Sequence, residues 1–232
     1  MAADTVHAPY VFWPYVFWKG PALPNRLTER GIAEAALGLV DADSVDGLTM
    51  RKLAQRLGVS AMALYTYFPD REAVLEAVTQ LVLTEVEIPA ESLDWRDTVR
   101  QLMRSIRRVG LRHPNAAPLI NRFPPRTVDA LAFVEAAFRA FRRAGFDDRS
   151  TVRCYRALAV YSMGTFDVEL TGYFAQHPAA QVGDSLDAPT AARLLPHVAS
   201  IAPLVADQDD EEAFEYGLEL LLNGFAQAMG AT

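Results

Sequence analysis

The polar and apolar positions of this chain repeat with the period of helices almost from end to end. Past Asn25, Ile32, Ala35, Ala36, Leu39 and Val40 follow an i, i+3, i+4, i+7, i+8 pattern, which predicts a helix opened by Thr28 as N-cap. Turn formers from Asp41 to Gly47 close it. A second helix is expected from Thr49 to Gly58, and a third from Ser60 to about Phe68. Pro69-Asp70 then opens a fourth that reaches about Glu85, with Val74, Leu75, Val78, Leu81 and Val82 on one face. Ile88 to Leu93 reads as a linker broken at Pro89. The next helix carries Trp95, Val99, Leu102, Met103 and Ile106 and ends near His113-Pro114. Others follow at about Arg126–Ala144, Arg149–Phe174 and Asp210–Met229. A proline-interrupted stretch before the last is expected to be a mobile loop with at most one short helix. No period-two alternation stands out, so the expected class is all-α. Three parts are expected: an arm over 1–24, a head over 25–87 and a body over 88–232.

Charge sharpens this division. The net charge is −7 and 51% of residues are hydrophobic. Yet between Thr49 and Arg71 four basic residues (Arg51, Lys52, Arg56, Arg71) face one acid, Asp70. After Arg156 the only basic residue is Arg193, against eleven acids from Asp167 to Glu219. A basic island near the start and an acidic end suit a DNA-facing head on a body that touches no DNA. A protein that coats nucleic acid with its whole surface is excluded. No apolar run reaches the roughly 18–20 residues of a membrane span, and early prolines interrupt any signal-peptide pattern. One cysteine, Cys154, leaves no intrachain disulfide, and a cytoplasmic location is expected. Tyr10-Val11-Phe12-Trp13 recurs at Tyr15-Val16-Phe17-Trp18. These eight residues pack on the body or a dimer mate, or form an arm that orients the head with Lys19 on phosphate; both readings stay open.

Leu48 to Phe68 has the layout of a helix-turn-helix. Ala54 is small where two helices cross, Gly58 sits where positive φ is needed, and Leu53, Leu57, Val59 and Leu64 are apolar where the helices pack. This stretch resembles the tetracycline-repressor family of transcriptional regulators. The likeness rests on Gly47-Leu48-Thr49, on Arg51 through Val59, and on Leu64-Tyr65 followed by Arg71. In the second half, Trp95, Gly145-Phe146, Gly164 and Phe214 through Leu220 are similar to the body of the tetracycline repressors themselves. The resemblance implies a homodimer on palindromic operator DNA, released by a small-molecule effector. A regulator that activates, or that answers to a protein partner, remains the alternative.

Each DNA-side residue has an expected role. Thr49 and Arg51 hold phosphate at the start of the second helix. Ala61 to Tyr67 contains no Arg or Lys. Readout therefore falls to Met62 and Ala63 on thymine methyls and to hydrogen bonds from Ser60 or Thr66, with Ala61 at the helix start. Tyr65, Tyr67 and Arg71 are expected on phosphate. By resemblance, the last helix and the Arg149–Phe174 helix build a four-helix bundle across a two-fold axis, through Gly164, Gly217, Leu218, Leu221, Gly224 and Phe225. A stripe buried within one subunit explains the leucines equally well.

Leu102, Ile106, Phe123, Phe133, Tyr155, Met163 and Phe166 fall near positions that line the effector cavity of the similar repressors, though such side chains also make plain core. Asp167 and Glu169 are the polar candidates. Arg104 and Arg108 meet either an acidic effector group or salt-bridge partners. In the tetracycline repressors a histidine after the Trp-bearing helix binds drug-borne Mg²⁺. Here Ala116 to Arg122 holds no histidine, and His113 is read as a helix end. No metal and no cofactor are therefore expected, and the effector is not tetracycline–Mg²⁺. Catalytic signatures are also missing: no glycine-rich phosphate loop, no His-Glu-x-x-His and no cysteine pair. An enzyme is not expected.

Overall fold

A computed structural model describes residues 27–173, 187–206 and 209–230. The duplicated aromatic arm and residues 174–186 and 207–208 of the proline-interrupted stretch lie outside them. The described elements are α1 (Glu29–Gly47), α2 (Met50–Leu57), α3 (Ala61–Tyr65), α4 (Arg71–Leu83), α5 (Trp95–Arg112), α6 (Ala117–Arg122), α7 (Val128–Arg143), α8 (Asp148–Thr171), α9 (Ala188–Leu194), α10 (Pro196–Ala206) and α11 (Asp210–Gly230). All are helices, as the periodicity predicts.

The helix starts follow from local chemistry. Thr28, Thr49, Ser60, Asp70, Asp94, Thr127 and Asp147 each accept a hydrogen bond from the backbone N–H three residues on. Each cap satisfies an orphan donor and contributes about 1 kcal/mol. At the end of α2, Gly58 adopts φ 68°, its N–H donates to the Gln55 carbonyl, and the Val59 N–H donates to the Ala54 carbonyl. This two-bond closure needs a left-handed residue, which glycine supplies without strain.

The backbone of α1 leaves the helical region at Asp43 and Ser44, the latter with φ 64°, so the turn formers break the helix before Gly47 as expected. Two other expectations change. The third helix ends at Tyr65 rather than near Phe68. The stretch before α11 contains two helices, α9 and α10, not one. The short α6 was not foreseen, because six residues hold too few turns to show a period.

Two apolar clusters organise the packing. The first joins Ile32, Ala36 and Val40 of α1, Leu53 and Leu64 of the helix-turn-helix, and Val74, Leu75, Val78 and Val82 of α4. It continues into Leu102, Val109 and Leu119 of the following helices. The second gathers Val99, Met103, Phe141, Phe146, Leu158, Phe214, Leu218 and Leu222, with Trp95 at its edge. Trp95, Phe141 and Phe146 meet with ring centroids 5.1–5.8 Å apart. The helix α4 therefore belongs to the first cluster along its length, and the head is welded to the helices beneath it.

Candidate functional site

In the head, Leu53, Ala54 and Leu64 point inward, which turns the opposite faces of α2 and α3 to solvent. Thr49, Arg51, Ser60, Met62, Tyr65 and Thr66 are exposed, while Ala61 and Ala63 are half-buried. Met62 is 78% exposed, an unusual place for a thioether unless something apolar meets it. Arg51 makes no ion pair or hydrogen bond among the described residues, whereas Lys52 Nζ is 2.6 Å from the Asp43 carboxylate. Thr49 and Ser60 use their hydroxyl oxygens as cap acceptors, from Lys52 N at 3.1 Å and Ala63 N at 3.2 Å. Their O–H donors stay available. The Thr66 hydroxyl donates back to the Ala63 carbonyl at 2.5 Å.

Two phosphate assignments need correction. Arg71 Nε donates to the Leu48 carbonyl at 2.7 Å and its terminal nitrogen to the Val45 carbonyl at 2.5 Å. The chain turns sharply between α1 and α2, where the Val45 carbonyl also accepts from the Leu48 N–H at 3.2 Å, and the guanidinium braces both carbonyls. Tyr67 lies beyond the end of α3, and its hydroxyl donates to the Leu27 carbonyl at 2.9 Å. Both side chains hold the head together instead of reaching outward.

In the body, α5 is sewn to α11 by side chains spaced four apart. Arg96 donates to Asn223 at 3.0 Å, Arg100 to Glu219 at 2.7 Å, and Arg104 to both oxygens of Glu215 at 2.6 and 2.7 Å. The bond to Arg100 holds the Glu219 carboxyl below its ordinary range, and Glu219 and Glu215 raise the Arg100 and Arg104 guanidiniums. Arg107 makes a two-pronged pair with Glu169 at 2.6 and 3.1 Å, its guanidinium 5.4 Å from the Phe214 ring centroid. Arg108 pairs with Glu87 at 2.8 Å. Arg104 and Arg108 are thus salt-bridge partners.

The interface assignments divide by helix face. Leu218 is fully buried (0% exposed) within its own subunit's second cluster, and Leu221 and Phe225 pack against that cluster. Gly217 is close-packed within the chain: a Cβ there would lie 2.5 Å from the Tyr161 Oη. Tyr161 donates across this contact to the Phe214 carbonyl at 2.6 Å. Gly217 and Leu218 therefore serve the subunit core, a correction forced by the helical period, which puts 214, 218 and 222 on one side, whereas Leu221 and Phe225 stay half-buried at its edge. Gly164 and Gly224 instead face open space. Beside them stand residues not foreseen: Val160 (71% exposed) on α8, and Tyr216 and Leu220 (57% exposed) on α11.

The same argument corrects the pocket. Met163 and Asp167 sit on the outward side of α8, one and two turns beyond Val160. Ser162, Phe166 and Glu169 point inward. Phe166 is pressed on Gly110, where a Cβ would come within 2.5 Å of its ring. Leu102 is buried in the first cluster, Ile106 touches both clusters, and Phe123 and Phe133 are half-buried against the first. Tyr155 meets Phe138 edge-on at 5.1 Å, and burial raises its hydroxyl pKa. Two concavities lie elsewhere. One of about 220 Å³ is bounded by Trp95, Arg139 and Arg143, and one of about 570 Å³ by Phe138, Arg142 and Thr151. Neither is lined by the predicted pocket residues. Among the described residues no three ligating side chains converge to hold a metal ion, and no helix is long and apolar enough to cross a membrane.

Comparison with known proteins places this geometry. Residues 32–78 match the family model described as bacterial regulatory proteins, tetR family, and residues 88–229 match that of the tetracyclin repressor-like C-terminal domain. An HTH-type transcriptional regulator of Saccharopolyspora erythraea is 33% identical over 225 residues, covering 96% of this chain and 94% of its own. The class D tetracycline repressor of Escherichia coli is 31% identical over 208 residues, covering 86% of this chain and 89% of its own. The fold is similar to that of the Streptomyces coelicolor TetR family protein ActR in complex with actinorhodin. That likeness has a TM-score of 0.78 at 28% identity and covers 89% of this chain and 100% of the other.

Proposed function

Since the chain belongs to the tetR family of bacterial transcriptional regulators, we propose that it is a repressor that holds palindromic operator DNA as a homodimer and is released by a small, largely apolar effector. Residues 25–87 are the DNA-binding head, 88–232 the effector and dimerisation body, and 1–24 an arm. The observation that carries this reading is the outward face of the head. Thr49 and Arg51 stand at the start of α2, next to Ser60, Ala61, Met62, Ala63, Tyr65 and Thr66 of the recognition segment. Arg51 supplies phosphate charge, and Met62 supplies apolar contact of the kind thymine methyls accept. Two such heads on a two-fold axis read two half-sites. The axis runs past the outward faces of the two helices, which expose Val160, Met163 and Gly164 on α8 and Tyr216, Leu220 and Gly224 on α11.

The effector acts by population shift, favouring a dimer whose heads are spaced wrongly for successive major grooves. The lever is α4. Its Val74, Leu75 and Val78 are buried in the head cluster, and its Gln80 reaches the α6–α7 connection. Gln80 donates to the Pro124 carbonyl at 3.1 Å and accepts from Arg126 N at 2.7 Å and Thr127 N at 3.2 Å. By resemblance to the similar repressors the effector site falls near Ile106, Phe123, Phe133, Tyr155 and Phe166, all apolar or aromatic, which supports a largely apolar effector. With no histidine between Ala116 and Arg122, tetracycline–Mg²⁺ is not the effector.

The test is retention of the DNA upstream of the gene, followed by fluorescence anisotropy with actinorhodin and, separately, tetracycline plus Mg²⁺ as probes. Salt-dependent binding that actinorhodin weakens and tetracycline–Mg²⁺ leaves alone supports the reading. Absence of salt-dependent retention overturns the DNA assignment, and release by tetracycline–Mg²⁺ overturns the effector class.

A further inference from the structure

The junction between head and body closes on one imidazole. His113 follows α5 and is 8% exposed. Its Nδ1 lies 2.9 Å from Asp41 Oδ2, on the last regular turn of α1 before the break at Asp43 and Ser44. Its Nε2 lies 3.2 Å from both oxygens of Glu85, just past α4. Arg112 donates to Glu85 at 2.7 Å, and Asn115 Nδ2 donates to the Asp41 carbonyl at 3.0 Å. The His113 carbonyl meanwhile accepts from Ala116 N and Ala117 N and starts α6. One ring therefore ties the end of the first head helix, the end of the lever helix and the α5–α6 corner.

Proton count gives this knot a property that apolar packing lacks. Two carboxylates accept and cannot donate, so both ring nitrogens must carry protons for both arms to hold. A neutral imidazole donates once and turns a lone pair on the other carboxylate, losing a charge-assisted bond and gaining repulsion. Imidazole is the side chain whose charge changes between pH 5 and 8. The charged groups facing it are Asp41 from α1, Glu85 from the end of α4, and Arg112 from its own helix through Glu85.

We infer that His113 is the positioning residue through which the body sets the angle of the DNA head, and that it does so only while both ring nitrogens are protonated. The inference rests on the reading of residues 25–87 as that head. Its consequence is that the head is clasped in acid and loosened as pH rises, independently of any effector.

Hydrogen exchange followed by mass spectrometry on the full chain tests this at pH 5.5 and pH 8, with rates corrected for the chemical effect of pH. In the unmodified protein, exchange through residues 41–47 rises at least about tenfold at the higher pH, as the loss of one charge-assisted hydrogen bond implies. Residues 128–143 of α7 do not change. In Glu85→Gln the amide can donate to the Nε2 lone pair while Nδ1–H still serves Asp41, so a neutral ring closes the clasp. Protection is then kept and stays within about twofold between the two pH values. His113→Gln exchanges at the loosened rate at both. A pH-flat unmodified protein, or a pH response that survives in Glu85→Gln, overturns the inference even if His113→Gln does not fold. Failure to retain upstream DNA at either pH strikes the DNA reading alone, because the exchange measurement needs no DNA.

Discussion

Replacing Arg71 by alanine separates a brace from a phosphate hand. In the structure the Arg71 guanidinium donates to two backbone carbonyls, Leu48 at 2.7 Å and Val45 at 2.5 Å, in the turn that sets α2 against α1. Hydrogen bonds from a charged donor contribute roughly 1.5–3 kcal/mol each. The side chain is 32% exposed, so water replaces part of what alanine removes. The expected loss is therefore about 2 kcal/mol rather than the full sum. In a chain of this length that is roughly 4–8 °C in Tm, measured by circular dichroism at fixed protein concentration because dimerisation also moves Tm. Arg51→Ala is the counterpart: its side chain is exposed with no partner among the described residues, so Tm should stay within about 1 °C, as surface changes usually do. Its effect should appear in DNA binding, where one lost phosphate contact lowers the slope of log K against log salt by about 0.9 per head. Should Arg71→Ala leave Tm unchanged and lower the salt slope as Arg51→Ala does, the brace is wrong and Arg71 is a DNA contact.

Leu220→Asp, on the outward face of α11, should turn a sedimenting dimer into a monomer, whereas Leu218→Ala, two residues away, should cost about 2–5 kcal/mol of stability through a core cavity. A Leu220→Asp protein that sediments like the parent would place the two-fold axis elsewhere. Gln80→Leu leaves the Arg126 and Thr127 N–H groups of the α6–α7 connection without their side-chain acceptor, so it should lower Tm and weaken effector release more than DNA affinity, read by anisotropy with and without actinorhodin. The Cys154 thiol is buried, and desolvation pushes its pKa up to about 11. Iodoacetamide at pH 8 should alkylate it only in denaturant, and rapid labelling of the native protein would contradict the packing. Glu219 is held below its ordinary range by Arg100. Its contribution to stability is therefore present above the unfolded carboxyl value near pH 4.3 and lost as pH falls through the lower folded value. Glu219→Gln should flatten that part of an acid unfolding curve.

What could be read from the chain was whatever depends on near neighbours in sequence. The caps at Thr28, Thr49, Ser60 and Asp70, the glycine at 58 and the apolar periods of α1, α4, α5 and α7 each involve residues within four positions of one another, so pattern alone reveals them. The all-α class and the helix-turn-helix followed from these. So did the exposure of Met62, because Leu64 claims the inner face of so short a helix.

Tertiary structure decided wherever two helix faces or two sequence-distant partners compete for one side chain. Arg71 and Tyr67 look like phosphate contacts until the carbonyls of Val45, Leu48 and Leu27 are brought beside them, 40 residues away in the last case. The stripe of α11 carries apolar residues on both sides, and only the position of α8 shows that Leu218 belongs to the subunit core while Leu220 is left for a partner. Met163 and Asp167 move outward for the same reason. His113, an ordinary helix end in the sequence, becomes the meeting point of Asp41 and Glu85 because folding brings positions 72 and 28 residues away onto its two nitrogens. Helical periodicity is a local property and determines which residues share a face. Which face is buried, and by what, is settled only by the packing of the other helices against it.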